Sequence, residues 1–223
     1  MYEKAEQCYG YKIGDEITVA GEQYYVIADS PFKQDYVVAL KSEPLTVAEV
    51  NLYGGVGTED NHVNRYTQSN VGTAKDQNGY GVMAYYTSDT CGYLNGSLVR
   101  TGCTDEYDQS DIKIVVDNWS STMISDNILV NIDGYYSRII SNSEIINNLQ
   151  CISYDCTNSP YGWAYSTMYS YWTTRKSGNG TGMYKINNNG KLSYETIYNY
   201  YGGAVVRPVI NVYKSAITKV NNN

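Results

Sequence analysis

Residues 161–213 read YGWAYSTMYSYWTTRKSGNGTGMYKINNNGKLSYETIYNYYGGAVVRPVINVY. Two textures alternate in that stretch. The runs Tyr171-Trp172-Thr173 and Val205-Val206-Arg207-Pro208-Val209-Ile210 are aromatic or β-branched and read as parts of strands over 168–174 and 204–213. Strands at 183–186 and 191–197 flank Asn189-Gly190, a dipeptide that supplies the backbone a tight hairpin needs. The last third of the chain is therefore expected to be sheet. What remains is Tyr, Ser, Asn, Gly and Thr, with nine tyrosines between 161 and 201. A tyrosine brings a rigid apolar face with a polar tip, and Ser, Asn and Gly adapt around it, which is the composition of a contact surface.

Working outward from this segment, 16–20 and 23–28 alternate around Gly21 as a hairpin, and 36–41 is a third strand. Residues 45–53 fit a short helix stopped by Gly54 and Gly55. From 54 to 104 the chain is rich in Gly, Asn, Thr and Ser without periodicity, and is read as a long loop insertion on the surface. Ser110 is an N-cap ahead of Ile112, Val115, Val116, Trp119 and Met123 at helical spacing. A short strand at 138–141 follows, and Ser141 with Glu144 forms a capping box that predicts a second helix through Ile145, Ile146 and Leu149. The expectation is one α+β domain over 1–223, two helices with a twisted, mostly antiparallel sheet. Residues 1–10 are read as an N-terminal extension, and 214–223 as a tail, frayed from 219.

The composition removes several functions. The chain has 223 residues, with 16 Lys and Arg against 23 Asp and Glu, a net charge of −7. That balance leaves no basic surface for phosphates, so nucleic acid is not expected as a partner. No apolar run approaches the roughly 20 residues of a membrane span, so none is expected in this chain. Residues 1–10 lack the apolar centre of an export signal, so any secretion signal or anchor is expected either to have been removed or never to have been there. The 26 tyrosines stand against three tryptophans and one phenylalanine. AT-rich coding would raise Phe together with Tyr, so codon bias explains the excess only incompletely.

Five cysteines form two local pairs. Cys91 and Cys103 bracket a Gly-, Asn- and Ser-bearing loop, Cys151 and Cys156 are four residues apart, and Cys8 is odd. Each pair could close as a disulfide; structural zinc is the weaker alternative, since no CxxC spacing occurs and the single histidine, His62, lies in a polar stretch. With one histidine and no nucleophile elbow, phosphate-binding loop or HExxH, hydrolytic, nucleotide and zinc-protease chemistry lose their usual handles. The acidic run Asp105, Glu106, Asp108 and Asp111 lacks EF-hand spacing and reads as an acidic helix N-terminus before it reads as a calcium site. No cofactor is expected, with calcium on the loops left open.

The Tyr-Trp-Thr strand, the I-N-N-N-G-K-L hairpin and the closing V-V-R-P-V-I strand together resemble the C-type-lectin-fold variable proteins diversified by retroelements, in particular bacterial and phage versions ending in a Tyr-, Asn- and Ser-rich variable region. The likeness covers the last 60 or so residues, and the front part more loosely. It implies a C-type lectin fold and a hypervariable ligand-binding segment at 161–201. It also implies cell-surface adhesion, in which adenine-directed mutagenesis changes displayed residues while the framework stays fixed. The expected contact set is Tyr169, Tyr171, Arg175, Lys176, Ser177, Asn179, Tyr184, Lys185, Asn187, Tyr194, Glu195, Tyr198, Asn199 and Tyr200, with no catalytic residue. Strand alternation turns Ile186, Leu192 and Ile197 inward and leaves Ser193, Tyr194 and Glu195 in the connection between the last two. Trp119, Trp163 and Trp172 are expected in the core.

The partner implied is a macromolecule on another cell or host surface, protein rather than glycan, met outside the cell. Similar proteins attach to pilin-like or lipoprotein N-termini. Two rivals remain. The formylglycine-generating enzymes share the fold and the C-x4-C spacing of Cys151 and Cys156, though here the pair precedes the tyrosine-rich segment; that reading needs free thiols at the floor of a cleft. A pilus or surface-layer subunit would use its tyrosines to join neighbouring copies.

Overall fold

The structure, a computed structural model, describes residues 10–29, 35–53, 105–152, 155–165, 170–176, 182–196 and 204–221, and the backbone of 74–75, 81–83, 91–94 and 97–100. β1 (Glu16–Val19) and β2 (Glu22–Asp29) meet at Ala20 and Gly21, with φ of 49° and 83°. Val19 pairs directly with Glu22, so both turn residues are left-handed, the geometry that follows the twist of the flanking strands. β3 (Tyr36–Lys41) pairs with β2 through a bulge at Ile27. α1 (Val47–Tyr53) opens with a capping box: Thr46 donates its N–H and hydroxyl to the Glu49 carboxylate and accepts from the Glu49 N–H.

The stretch expected to be loop contributes strands. β4 (Ala74–Lys75) and β5 (Gly81–Met83) pair with one another, as do β6 (Cys91–Leu94) and β7 (Ser97–Arg100). Such short strands leave no periodicity to read in the sequence. A 3-10 turn at Tyr107–Gln109 leads into α2 (Asp111–Ser125), where the Ser110 hydroxyl accepts from the Lys113 N–H and donates to the Tyr107 carbonyl. β8 (Ser137–Ile139) follows.

The second helix is shorter than expected. Its Ser141–Glu144 capping box is formed, but Glu144–Asn148 is a single π turn, closed by the Leu149 N–H on the Glu144 carbonyl. Asn147 and Asn148 are poor helix formers, and Gln150 at φ 55° turns the chain toward Cys151. A 3-10 turn at Gly162–Ala164 precedes β9 (Tyr171–Lys176), β10 (Gly182–Ile186) and β11 (Leu192–Thr196). Gly190, at φ 80°, sits in the β10–β11 hairpin, where an added Cβ would also press on the Tyr165 ring at 3.0 Å.

The final strand of the sequence reading is two. β12 (Ala204–Val205) and β13 (Pro208–Tyr213) belong to different sheets, and Val206 and Arg207 carry the chain between them. Nor is the end a frayed tail. After a 3-10 turn at Lys214–Ala216, β14 (Lys219–Asn221) pairs with β1 and brings the two ends of the described chain side by side.

The protein is thus α+β with two six-stranded sheets instead of one, in the orders β14-β1-β2-β3-β13-β8 and β11-β10-β9-β12-β5-β4, beside the β6–β7 hairpin. Every pairing between these strands is antiparallel except that of β12 with β9. One apolar cluster joins Ile17, Val26 and Ile210 of the first sheet to Ile112, Val116 and Trp119 of α2. The other joins Ile27, Leu40 and Val209 to Tyr171, Ile186 and Val205 of the second sheet. β13 contributes to both clusters, which is why it reads as an almost unbroken apolar run.

Candidate functional site

β9, β10 and β11 form one end of the second sheet, and the described members of the expected contact set lie on them or on the turn after β10. Tyr184 and Tyr194 are cross-strand partners whose rings meet edge to face, 6.2 Å between centroids. Arg175 lies over the Tyr184 ring at 4.5 Å and donates to the Asn142 side chain at 3.0 Å. Cation, ring and ring form one group, and Tyr194 is 43 % exposed at its outer edge. Gly182 makes this possible: a Cβ there would fall 2.0 Å from the Tyr194 ring, which lies across the bare backbone.

The flanking polar groups are tied to one another. Lys185 pairs with Glu195 at 3.1 Å, with side chains only 12 % and 19 % exposed, so both face outward less than expected. Lys176 is exposed and pairs with Glu106, which raises the lysine pKa. Asn187 accepts hydrogen bonds from Ser170 and Ser193, fixing the base of the hairpin. Ser193, Tyr194 and Glu195 are part of β11, not of a connection, and Leu192 is half-buried beside Ile186.

Tyr171 departs from the expectation of exposure. It is wholly buried, its hydroxyl donates to the Ala164 carbonyl at 2.7 Å, and burial pushes its pKa up to about 12. β9 is covered on both faces at this point, with Tyr171 in one apolar cluster and Trp172 in the other. Arg207 is also wholly buried, donating to the carbonyls of Lys41, Ser42, Ala164 and Trp163, and burial lowers its pKa. Trp163, expected in the core, is half-buried and stacks on Tyr25 at 4.5 Å. Tyr169, Ser177, Asn179, Ile197, Tyr198, Asn199 and Tyr200 lie outside the described residues, as do Cys8, Cys103 and His62.

Cys151 and Cys156 are joined by a disulfide and buried in the second apolar cluster. The bond clips the segment before the tyrosine-rich stretch to the hairpin turn, because the Cys156 N–H donates to the Gly190 carbonyl and Asp155 bridges to Lys191.

A cavity of about 310 Å³ lies where Val38 of β3, Arg138 of β8, Thr174 of β9 and Asn211 of β13 come together. Val38 and Ile132 supply apolar wall, Tyr107 and Tyr135 aromatic wall. Arg138 and Asp133 are its charged groups. Arg138 is held in a two-point fork by Glu144 at 2.6 and 2.7 Å. The Tyr135 hydroxyl donates to Asp108, which with burial lifts its pKa to about 12. Nothing in the sequence signals this site, since β3, β8, β9, β13 and the turns between them each contribute from one to three ordinary residues.

Among the described residues, no group of three or more His, Cys, Asp or Glu side chains is placed to hold a metal ion, and no helix is long and apolar enough to cross a membrane. Asp108 and Glu106 of the acidic run are engaged by Tyr135 and Lys176. Comparison with models of protein families, with curated proteins and with solved structures returns no match.

Proposed function

We propose that this chain is a ligand-binding protein of the C-type lectin type, an adhesin or receptor-like molecule whose diversified segment 161–201 is displayed on a stiff frame. The observation that carries the reading is the Arg175–Tyr184–Tyr194 group. Three side chains suited to contact surfaces stand together on strands whose opposite residues, Met183 and Trp172, are wholly buried. A pre-organised aromatic surface binds without first paying for its own ordering. The side-by-side ends at β1 and β14, the buried Arg207 crossing and the disulfide beneath the hairpin supply the rigidity that such display requires.

The partner under this reading is a protein on another cell or a host surface, met outside the cell where a structural disulfide persists. The target protein of a diversity-generating retroelement leaves a mark in DNA. Sequencing around the gene should find a reverse transcriptase and an imperfect repeat of the 161–201 coding stretch that differs at adenines. Absence of both, or differences spread over all four bases, would count against diversification. The formylglycine-generating alternative needs free thiols at a cleft floor, whereas Cys151 and Cys156 are joined and buried, and no specific observation favours that reading.

A further inference from the structure

The hydrogen bonds of Tyr135, Ser141 and Asn211 direct protons away from the cavity beside β8 and β13. Tyr135 gives its hydroxyl proton to Asp108. Ser141 gives its own to the Glu144 carboxylate at 2.7 Å, so in the 3.0 Å contact between the two serines it is Ser143 that donates. Asn211 gives one amide N–H to the Tyr135 carbonyl at 2.8 Å, and its Oδ1 accepts from none of the described residues. Arg138 is the one cation that the described residues place on the wall, and both of its terminal nitrogens face Glu144. Lone pairs of Tyr135, Ser143 and Asn211 therefore remain for a ligand. The Asp133 carboxylate adds a negative charge that no cation among the described residues matches.

A wall that offers acceptors and a net negative charge selects a ligand rich in donors. An anion would meet Asp133 and find the Arg138 fork already occupied. A neutral polyol needs donors from the protein as well as acceptors. An ammonium has three donors and no acceptor, its alkyl stem suits Val38 and Ile132, and the wall carries the rings of Tyr107 and Tyr135, in tilted contact with one another at 6.3 Å between centroids, beside which a cation is favoured. The volume lies near the lower end of the ~300–1,000 Å³ typical of ligand clefts, enough for one such side chain.

We propose that this cavity is a second binding site, separate from the tyrosine surface, for a primary ammonium on a short aliphatic stem, the chemistry shared by a lysine side chain and a free diamine. The proposal stands whether or not segment 161–201 binds a partner.

The test is calorimetric titration of the full chain with Nα-acetyl-lysine methylamide and with 1,5-diaminopentane, beside two controls, the norleucine analogue and tetramethylammonium. Asp133→Asn is the variant of choice. Asp133 is exposed at φ 53°, a left-handed conformation Asn also tolerates, so folding should be unaffected and an unchanged melting temperature verifies it. At low salt at least one ammonium compound should bind, at least about tenfold tighter than either control, and Asp133→Asn should weaken it by about tenfold. Preference for the acetyl-lysine probe assigns the site to a partner's side chain, and preference for the diamine to a free amine. Equal binding of norleucine or tetramethylammonium, no binding of either amine, or indifference to Asp133→Asn would overturn the proposal.

Discussion

The Arg207 guanidinium lies 5.2 Å from the centre of the Tyr171 ring, and both side chains are fully sealed from water. The Ala164 carbonyl accepts from both of them, so cation, phenol and backbone form one unit where the chain passes from the second sheet to the first. The buried cation is tolerated here because four carbonyls solvate it and the charge of Glu43 acts on it.

Arg207→Met should therefore destabilise the fold by at least about 3 kcal/mol, since several carbonyls lose their donor at about 1–3 kcal/mol each. Arg207→Lys should recover less than half of that loss, because one ammonium cannot span the carbonyls of Lys41, Ser42, Ala164 and Trp163. Urea midpoints at unchanged slope read the effect. A methionine variant as stable as the parent would mean that the carbonyls find other partners.

Tyr171 and Tyr194 make a matched pair for separating frame from display. Tyr171→Ser should lose about 3–5 kcal/mol, as for removal of a buried aromatic ring, whereas Tyr194→Ser should stay within about 1 kcal/mol of the parent. Equal losses at the two positions would show that Tyr194 is framework and remove the main support for a binding surface on β11.

The difference between these two tyrosines marks the limit of what the chain reveals before folding. α2 was legible because Ser110 and the spacing of Ile112, Val115, Val116, Trp119 and Met123 are consequences of one helix with one buried face. The first hairpin was legible for the same reason, through alternation about Gly21. Tyr171 was not, because its burial depends on a second cover, from Ile186, Val205 and the disulfide, and alternation within β9 cannot report that its outer face is also roofed. Arg207 was visible as part of a framework pattern, yet nothing local tells that it divides β12 from β13. The cavity at Tyr135 and Asp133 was beyond reach, since its lone pairs are left over from hydrogen bonds among residues far apart in sequence.

Reduction of Cys151–Cys156, or its replacement by two alanines, should lower stability by about 2 kcal/mol, the chain-entropy expectation for so short a loop. The effect should be local as well. Because the Cys156 N–H is held by the Gly190 carbonyl, hydrogen exchange at Cys156 and around the β10–β11 turn should quicken more than exchange in β2 or β3. Uniform acceleration across both sheets would contradict the picture of a clip beneath the hairpin.

Alkali should probe Tyr135 and Tyr171, each raised to about 12, the first mainly by its hydrogen bond to Asp108 and the second by burial. Between pH 10 and about 12 the folded state keeps these protons while the unfolded chain releases them. The stabilisation is therefore complete below the unfolded value near 10 and is lost as pH rises through the folded one. Tyr135→Phe removes one such proton and should make the decline of the urea midpoint across that window shallower. An unchanged slope would mean that the Asp108 contact does not hold the phenol in its neutral form.

Gly182 offers the sharpest test of how the surface is arranged. A Cβ there would collide with the far end of the Tyr194 ring, at 2.0 to 2.5 Å from Cε2, Cζ and the hydroxyl, while the backbone around it need not move. Because Tyr194 is 43 % exposed, its ring can swing into solvent, so Gly182→Ala should change stability by less than about 1 kcal/mol. The same movement must break the edge-to-face contact with Tyr184 and leave Arg175 over a single ring. Ring-to-ring nuclear Overhauser effects between the two tyrosines should vanish while those within the Trp172 core persist. If the effects survive the added methyl, the ring is not resting on Gly182, and the ordered group at the centre of the proposed surface is held by something else.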